Sequence, residues 1–344
     1  MDAVITTEKK NNDLIDLLKF VLSFMIVAIH TGLFGAYLYP WLRLAVPLFF
    51  ITSAYLFFSK VNSCDGTRQK LMALKSFVLR NLKLYAFWFV VLFPINVFTR
   101  AWFSNGFLNG ILNIFQNFLV GSTFVASWFI SALVIGTAIV FFASMKVNNT
   151  TLFIIGAALN ILISLRSSYI YFFREMTDVL VGVINYENIM NNPYNSFPVA
   201  IFYIVCGKIF ADGVRVKVKT SALSLAAFLP LLFVEWYLIY HFADRYNYDC
   251  YIMLAPCALA IFNILIQLKP TTVFCAKEMR KASIIVFASH GAILSCLNWM
   301  VKKIGWDAPS FIVFLITCII ALSVSLAIIK LEEKKGLGWL KYSH

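Results

Sequence analysis

The sequence predicts an all-α, polytopic integral membrane protein with about ten transmembrane helices. Hydrophobic residues make up 61% of the chain and charged residues only 13%, with a mean hydropathy of +0.82, whereas about a quarter of the residues of a soluble domain are charged. Apolar runs recur at about the 20 residues that one bilayer crossing requires. Most Lys and Arg residues fall between these runs, as they do in loops that join membrane spans.

Ten apolar runs are long enough to cross a bilayer when tilt is allowed. In chain order their predicted limits are 14–38, 42–59, 84–101, 124–145, 150–166, 196–211, 221–241, 250–268, 283–301 and 310–330. The first run is too long for the core of a signal peptide and contains Lys19. Segment 107–121 is short and rich in Asn and Gly, which favours an interfacial or re-entrant piece on the outer side. No linker or repeat interrupts the pattern, so residues 1–344 are predicted to form one transmembrane domain.

Positive charge orients the predicted spans, because cytoplasmic loops collect Lys and Arg. With the N-terminus inside, about three quarters of the 29 basic residues lie on the inner side, and both termini are predicted to be cytoplasmic. Topology thus explains most of the net charge of +13, and no nucleic-acid partner is expected. The seven cysteines show neither CxxC nor metal-ligand spacing, which favours packing roles and predicts no metal site.

Lys19 and His30 are eleven residues apart in the first span. At 3.6 residues per turn this is about three turns, so both side chains are expected on one face, with Cα atoms roughly 16 Å apart. An ionisable residue in a span is costly and is a functional candidate. His30 is suited to take a proton from a hydroxyl, or it is a packed histidine bonded to a neighbouring helix. Lys19 either belongs to the site, extends to the headgroups, or pairs with Asp16.

Arg80 and Lys83 end the most basic predicted inner loop, 60–83. Three residues apart on what is predicted to be the first turn of the third span, both can face one anion. Arg offers a forked grip on phosphate and Lys a point charge. The pair is therefore a candidate site for the phosphates of a cytoplasmic donor, with plain positive-inside anchoring as the alternative.

Three further residues are candidates for the substrate site or its cavity. Trp128 opens the fourth span, where it is either an interfacial anchor or part of the site. Glu235 in the seventh span is either a relay or site group, or the partner of an arginine such as Arg166. His290, near the middle of the ninth span, either lines a cavity or makes one interhelical hydrogen bond. The polar outer loop 167–195 is either a solvated connection or part of an acceptor site.

Several stretches together resemble the acyltransferase-3 family of bacterial membrane proteins, which includes O-acetyltransferases of surface polysaccharides. They are DLLKFVLSFMIVAIH, VPLFFITSAYLFF, VLRNLKLYAFW, SWFISALV, FYIVCGKIFA and IIVFASHGAIL. The resemblance implies ten core helices in the bacterial cytoplasmic membrane. It also implies an acyl-CoA donor on the cytoplasmic side, expected to be acetyl-CoA, and a hydroxyl of a saccharide or lipid-linked glycan as the acceptor.

The resemblance also implies roles for single residues. His30 occupies the position of the catalytic histidine, and Lys19 is expected to contact the donor or stabilise charge. Arg80 and Lys83 match the family's Arg-x-x-Arg, although Lys83 replaces the second arginine. Ala54 stands where a glycine is usual, which predicts a local change in helix contact.

Two other classes of function stay open at the level of sequence. Some members of this family form the membrane half of serine racemases, so the alternative is a transporter of a small polar solute such as an amino acid, with Lys19, Glu235 and His30 as solute or proton sites. A membrane subunit that only binds partners is the third possibility. The oligomeric state is open and includes a homo-oligomer, and His30 can act as a base or as a nucleophile.

Overall fold

The computed structural model of the protein describes residues 13–33, 37–100, 102–169, 172, 193–242, 249–269 and 271–344. Within these ranges the regular structure is helical, which confirms the all-α class. In chain order the helices are α1 (Asp13–Thr31), α2 (Tyr39–Leu42), α3 (Ala45–Asn62), α4 (Thr67–Arg100), α5 (Phe107–Val120), α6 (Trp128–Ser144), α7 (Asn149–Arg166), α8 (Phe197–Ala211), α9 (Val218–Phe242), α10 (Leu254–Leu265), α11 (Ala276–Ile304) and α12 (Ser310–Glu332). Two short 3₁₀ turns complete the regular structure of these ranges. Pro193–Asn195 lies just before α8, and Gly338–Ser343 lies after α12.

Each of the ten predicted spans overlaps a helix, and seven helical segments of the described chain are long and apolar enough to cross a membrane. They are Asp13–Thr31, Tyr39–Asn62, Thr67–Val97, Asn149–Arg166, Val218–Phe242, Ala276–Ile304 and Ser310–Glu332. The other three predicted spans coincide with the shorter apolar helices α6, α8 and α10. The chain is thus a multi-pass membrane protein, while the number of ten crossings and the orientation of the termini stay predictions.

Several helices differ from the predicted span limits, and two of these differences change where site residues lie. Helix α1 ends at Thr31 rather than at 38, because Gly32 adopts a φ of +65°, the left-handed conformation that commonly ends a helix. Helix α4 begins at Thr67, so most of the predicted loop 60–83 is helical, since Lys, Arg, Leu, Met and Ala all have high helix propensity. Arg80 and Lys83 consequently lie several turns inside α4 and not in its first turn.

Helix α8 forms the centre of the fold and packs against α3, α6 and α7. It lies close to α3 at Gly207, where an added Cβ would lie 2.5 Å from the carbonyl oxygen of Ile51 and 2.7 Å from Cβ of Ala54. Ala54 is fully buried in this contact. Ala54 is therefore accommodated by a glycine on the opposite helix.

A polar network ties the ends of α3 and α8 to the start of α7. The Asp212 carboxylate accepts hydrogen bonds from Lys208 Nζ at 2.6 Å, Asn149 Nδ2 at 2.7 Å and Asn62 Nδ2 at 2.9 Å. Burial acts to raise the pKa of Asp212, but these hydrogen bonds outweigh it and hold the pKa below the ordinary value of 3.8. The network fixes this end of the bundle around α8.

Substituting Gly207→Ala is expected to lower the free energy of unfolding by about 1–3 kcal/mol, the usual cost of overpacking a filled core. The clash must outweigh the gain in helix propensity of about 1 kcal/mol that alanine brings. Thermal unfolding of the detergent-solubilised protein measures the effect. The control is Gly338→Ala, because a Cβ at Gly338 meets nothing within 4 Å. Equal melting temperatures for the two variants would contradict the close contact between α3 and α8.

Candidate active site

His30 lies one residue before the end of α1 and opens onto a cavity of about 290 Å³, named here the histidine cavity. The His30 side chain is exposed and forms part of the wall of this cavity. The cavity is lined by Ile26, Ile29, His30, Tyr39, Arg43, Val46, Phe49, Ala126, Trp128, Phe129, Asn195, Asp249 and Phe287. Residues from α1, α2, α3, α6 and α11 thus converge on the imidazole.

Two charged residues that sequence reasoning did not single out form the polar wall of the histidine cavity. Arg43 makes an ion pair with Asp249, and both side chains are largely buried. The Arg43 guanidinium carbon lies 4.9 Å from the centre of the Tyr39 ring. Asn195, at the end of the predicted outer loop 167–195, adds an amide to the lining. One feature of the sequence could have identified Arg43 as a candidate, because it belongs to the minority of basic residues on the predicted outer side.

Trp128 lines the same cavity as His30, at the first residue of α6. The turn before it is held by Ser127, whose Oγ accepts the backbone N–H of Thr123 at 2.9 Å and that of Phe124 at 3.2 Å. Ala126 in this turn has a φ of +63°, a conformation that is strained for any residue with a Cβ. The turn directs the start of α6 toward the cavity, which favours the site interpretation of Trp128 over the interfacial anchor.

His290 lies beside His30, on the facing helix α11. The two ring centres are 5.0 Å apart with an angle of 37° between the ring planes. His290 is fully buried, and its Nδ1 is 2.6 Å from the carbonyl oxygen of Phe287. The structure therefore brings together the two histidines that the sequence places 260 residues apart.

A second group of charges surrounds Lys19, near the other end of α1. The basic cluster, as we name it, consists of Lys19, Arg80 and Arg280, with Asp16 as its carboxylate. Lys19 interacts electrostatically with the other three side chains, and the Arg280 guanidinium lies 3.6 Å from the Asp16 carboxylate. Half of the Arg280 side chain is exposed, and Arg80 is exposed as well. Arg280 was not predicted as a site residue, because in the sequence it is one of several inner-side cations.

Lys83 has neighbours different from those of Arg80. Its Nζ lies 5.2 Å from the centre of the Tyr342 ring, in the 3₁₀ turn Gly338–Ser343. That turn is held against α4 by the indole N–H of Trp88, which donates to the backbone carbonyl of Ser343 at 3.0 Å. The expectation that Lys83 and Arg80 face the same partner is therefore not supported by their contacts.

Glu235 caps a helix, a role that differs from both sequence interpretations. Its carboxylate accepts the backbone N–H of Ile252 at 2.5 Å and that of Met253 at 3.0 Å, and it also accepts the hydroxyl of Tyr169. These amides lie at the start of α10, where backbone N–H groups have no partner inside the helix. Glu235 does not line the histidine cavity. Its contacts favour a structural role, and its place among the site residues stays a prediction.

The loop 167–195 lies mostly outside the described residues, so its predicted part in an acceptor site stays a prediction. In the described part of the chain, no group of three or more His, Cys, Asp or Glu side chains is placed to hold a metal ion.

The sequence matches the family described as an acyltransferase domain over residues 12–330, nearly the whole chain. The chain belongs to the acyltransferase-3 family. This confirms the resemblance on which the sequence interpretation relied. Ten core helices and the individual residue roles are not decided by the match.

Two curated relatives of this acyltransferase-3 chain are both named amino-acid racemase, from Enterococcus faecalis. One is 24% identical over 274 residues, which is 76% of this chain and 37% of the relative. The other is 22% identical over 347 residues, 93% of this chain and 46% of the relative. The chain thus spans less than half the length of these relatives. No solved structure matches it.

Replacing Glu235 by Ala is expected to destabilise the protein by about 2–3 kcal/mol, because buried amides at the start of α10 lose a charged acceptor. Glu235→Gln keeps one carbonyl oxygen as an acceptor, so its loss of stability is expected to be clearly smaller. Thermal unfolding of the two variants measures the difference. A Glu235→Gln protein with wild-type melting temperature but no acyl transfer would contradict the capping role and restore Glu235 as a site residue.

Proposed function

We propose that this chain is a membrane O-acyltransferase that moves an acetyl group from cytoplasmic acetyl-CoA to a hydroxyl of a saccharide or lipid-linked glycan. One observation carries the proposal. A single helix, α1, joins the basic cluster at Lys19 to an imidazole that opens onto a polar cavity at His30, with roughly 16 Å between the two positions along the helix axis.

The basic cluster supports a polyanionic donor. Lys19, Arg80 and Arg280 come from three different helices, and the Asp16 carboxylate interacts with Lys19 and Arg280. Like charges held close together repel one another unless an anion lies between them. The phosphates of coenzyme A are such an anion, and the two exposed guanidinium groups can grip them in a forked geometry.

His30 is suited to act as the general base of the transfer. The acceptor hydroxyl gives its proton to the neutral imidazole while its oxygen forms a bond to the thioester carbonyl carbon. The carbon–sulfur bond then breaks, and the departing thiolate takes the proton back from the imidazolium. Atoms and charges balance, and the imidazole is regenerated.

The histidine cavity suits the hydroxyl-rich end of an acceptor. Tyr39 and Trp128 offer aromatic faces, and Arg43, Asn195 and Asp249 offer hydrogen-bonding groups. Ligand sites commonly combine apolar walls with a few such polar groups, in volumes of about 300–1,000 Å³. At about 290 Å³, the cavity fits one small unit of a glycan better than a long segment.

His30→Ala is expected to reduce acetyl transfer by at least about 10²-fold, the usual contribution of a general base. The measurement uses labelled acetyl-CoA, membranes that contain the protein, and extraction of labelled glycans and lipid-linked sugars. His241→Ala is the control, because His241 is exposed at the end of α9 and outside the cavity lining. Equal loss in both variants, or no loss in His30→Ala, would contradict the catalytic role.

Arg280→Ala and Arg80→Ala are each expected to weaken coenzyme A binding about tenfold, or roughly 1.4 kcal/mol. The affinity of the wild type should also fall as ionic strength rises, because the contact is electrostatic and partly exposed. Calorimetry in detergent measures both effects. Lys75→Ala, an exposed cation on the same helix as Arg80, serves as the control. Should all three variants bind alike, the basic cluster would be an anchor and not a donor site.

The second candidate is a transporter of an amino acid. It is favoured by the relatives' name, amino-acid racemase, and by the Arg43–Asp249 pair, which offers one partner for a carboxylate and one for an ammonium group. Uptake of labelled amino acids into proteoliposomes tests it on the same preparation. Uptake that depends on Arg43 and His30, in the absence of acetyl transfer, would replace the enzyme proposal.

A further inference from the structure

His290 has one ring nitrogen that no neighbour uses. Its Nδ1 lies 2.6 Å from the carbonyl oxygen of Phe287, and a carbonyl only accepts, so Nδ1 carries the proton. The neutral ring then has a lone pair on Nε2. This atom is fully buried, and in the described part of the chain it has no hydrogen-bond partner. A buried acceptor without a donor is costly, which indicates that a donor reaches it in some state of the protein.

His30 is the group placed to supply that donor. An N–H···N bond needs the two nitrogens to be about 3 Å apart, and rings with centres 5.0 Å apart allow this when one nitrogen of each points toward the other ring. The cavity side of His30 is open, so its ring has space to turn. His290 has no such freedom, because it is enclosed and bonded to its own helix.

We propose that His290 is the positioning partner of His30. Its Nε2 accepts the N–H of one His30 nitrogen, which keeps the other nitrogen unprotonated and directed into the histidine cavity. When His30 takes the acceptor's proton, the same contact orients the imidazolium. This inference rests on the proposed function, in which His30 is the base.

A neutral partner fits the surroundings of this pair. Phe287 packs 6.2 Å from the His290 ring, centre to centre, and Phe49 and Phe129 pack on Phe287 in turn. A resting carboxylate at this apolar position would be costly, whereas an imidazole supplies an acceptor without a second charge. It thereby takes the orienting role that an aspartate has in serine protease triads.

The position of α11 is fixed next to His290. At Gly291 an added Cβ would lie 2.2 Å from Cβ of Val125, so the helix lies directly against the turn before α6. This contact fixes the position of His290 relative to the turn that precedes Trp128. The acceptor nitrogen and the wall of the histidine cavity are thus held in one packed unit.

Two variants separate an orienting role from a packing role. His290→Phe fills the volume and removes the acceptor, while His290→Gln keeps an oxygen near the position of Nε2. We expect His290→Phe to lower kcat for acetyl transfer about 10²-fold with KM for acetyl-CoA nearly unchanged. The kcat of His290→Gln should be at least tenfold higher than that of His290→Phe. A folded His290→Phe protein with wild-type kcat would overturn the proposal.

A spectroscopic readout does not depend on turnover. In ¹⁵N-histidine spectra of the protein in nanodiscs, assigned with His30→Ala and His290→Gln, we expect His290 to be protonated at Nδ1 only, and the His30 signals to shift when His290 is changed. Protonation of His290 at Nε2, or His30 signals that stay unchanged in the His290 variant, would overturn the pairing. Absence of acetyl transfer from the wild type would instead refute the proposed function, while these spectra still decide the pair.

Discussion

The packing of α1 against α11 is the contact on which the candidate site depends. Helix α1 carries Lys19 near one end and His30 at the other, and α11 brings a second charge and a second imidazole to the same two levels, at Arg280 and His290. Ionisable groups in an apolar interior require partners or water. The two helices provide them for each other at Lys19 and Arg280 and at His30 and His290, while Arg80 of α4 completes the basic cluster.

Much of the fold was predictable from the sequence, because the properties involved are local. Apolar length and helical period predict where α1, α9 and α12 lie, and the eleven-residue spacing of Lys19 and His30 needs only the geometry of one helix. The predicted limits were wrong where the hydropathy of a segment does not show where its helix begins or ends. Gly32 ends α1 within an apolar run, and α4 continues through a basic segment that has good helix propensity.

The site was predictable only in part, because pairing across the bundle leaves no trace in a single sequence. His290 and Trp128 were candidates by their positions, and the structure brings both to His30. Arg280 and the Arg43–Asp249 pair depend on segments far apart in the chain. Glu235 differs from these residues, because the structure shows its carboxylate capping α10 and places it outside the histidine cavity. A charged residue in a predicted span therefore indicates first that a polar partner lies nearby, and a catalytic role needs further evidence.

The most direct test of this account is a structure of the protein, in lipid, with a non-hydrolysable acetyl-CoA analogue. We expect the phosphates between Arg80 and Arg280 and the acyl carbon beside His30, within reach of a hydroxyl in the histidine cavity. An analogue bound elsewhere, or an acyl group separated from His30 by packed side chains, would contradict it.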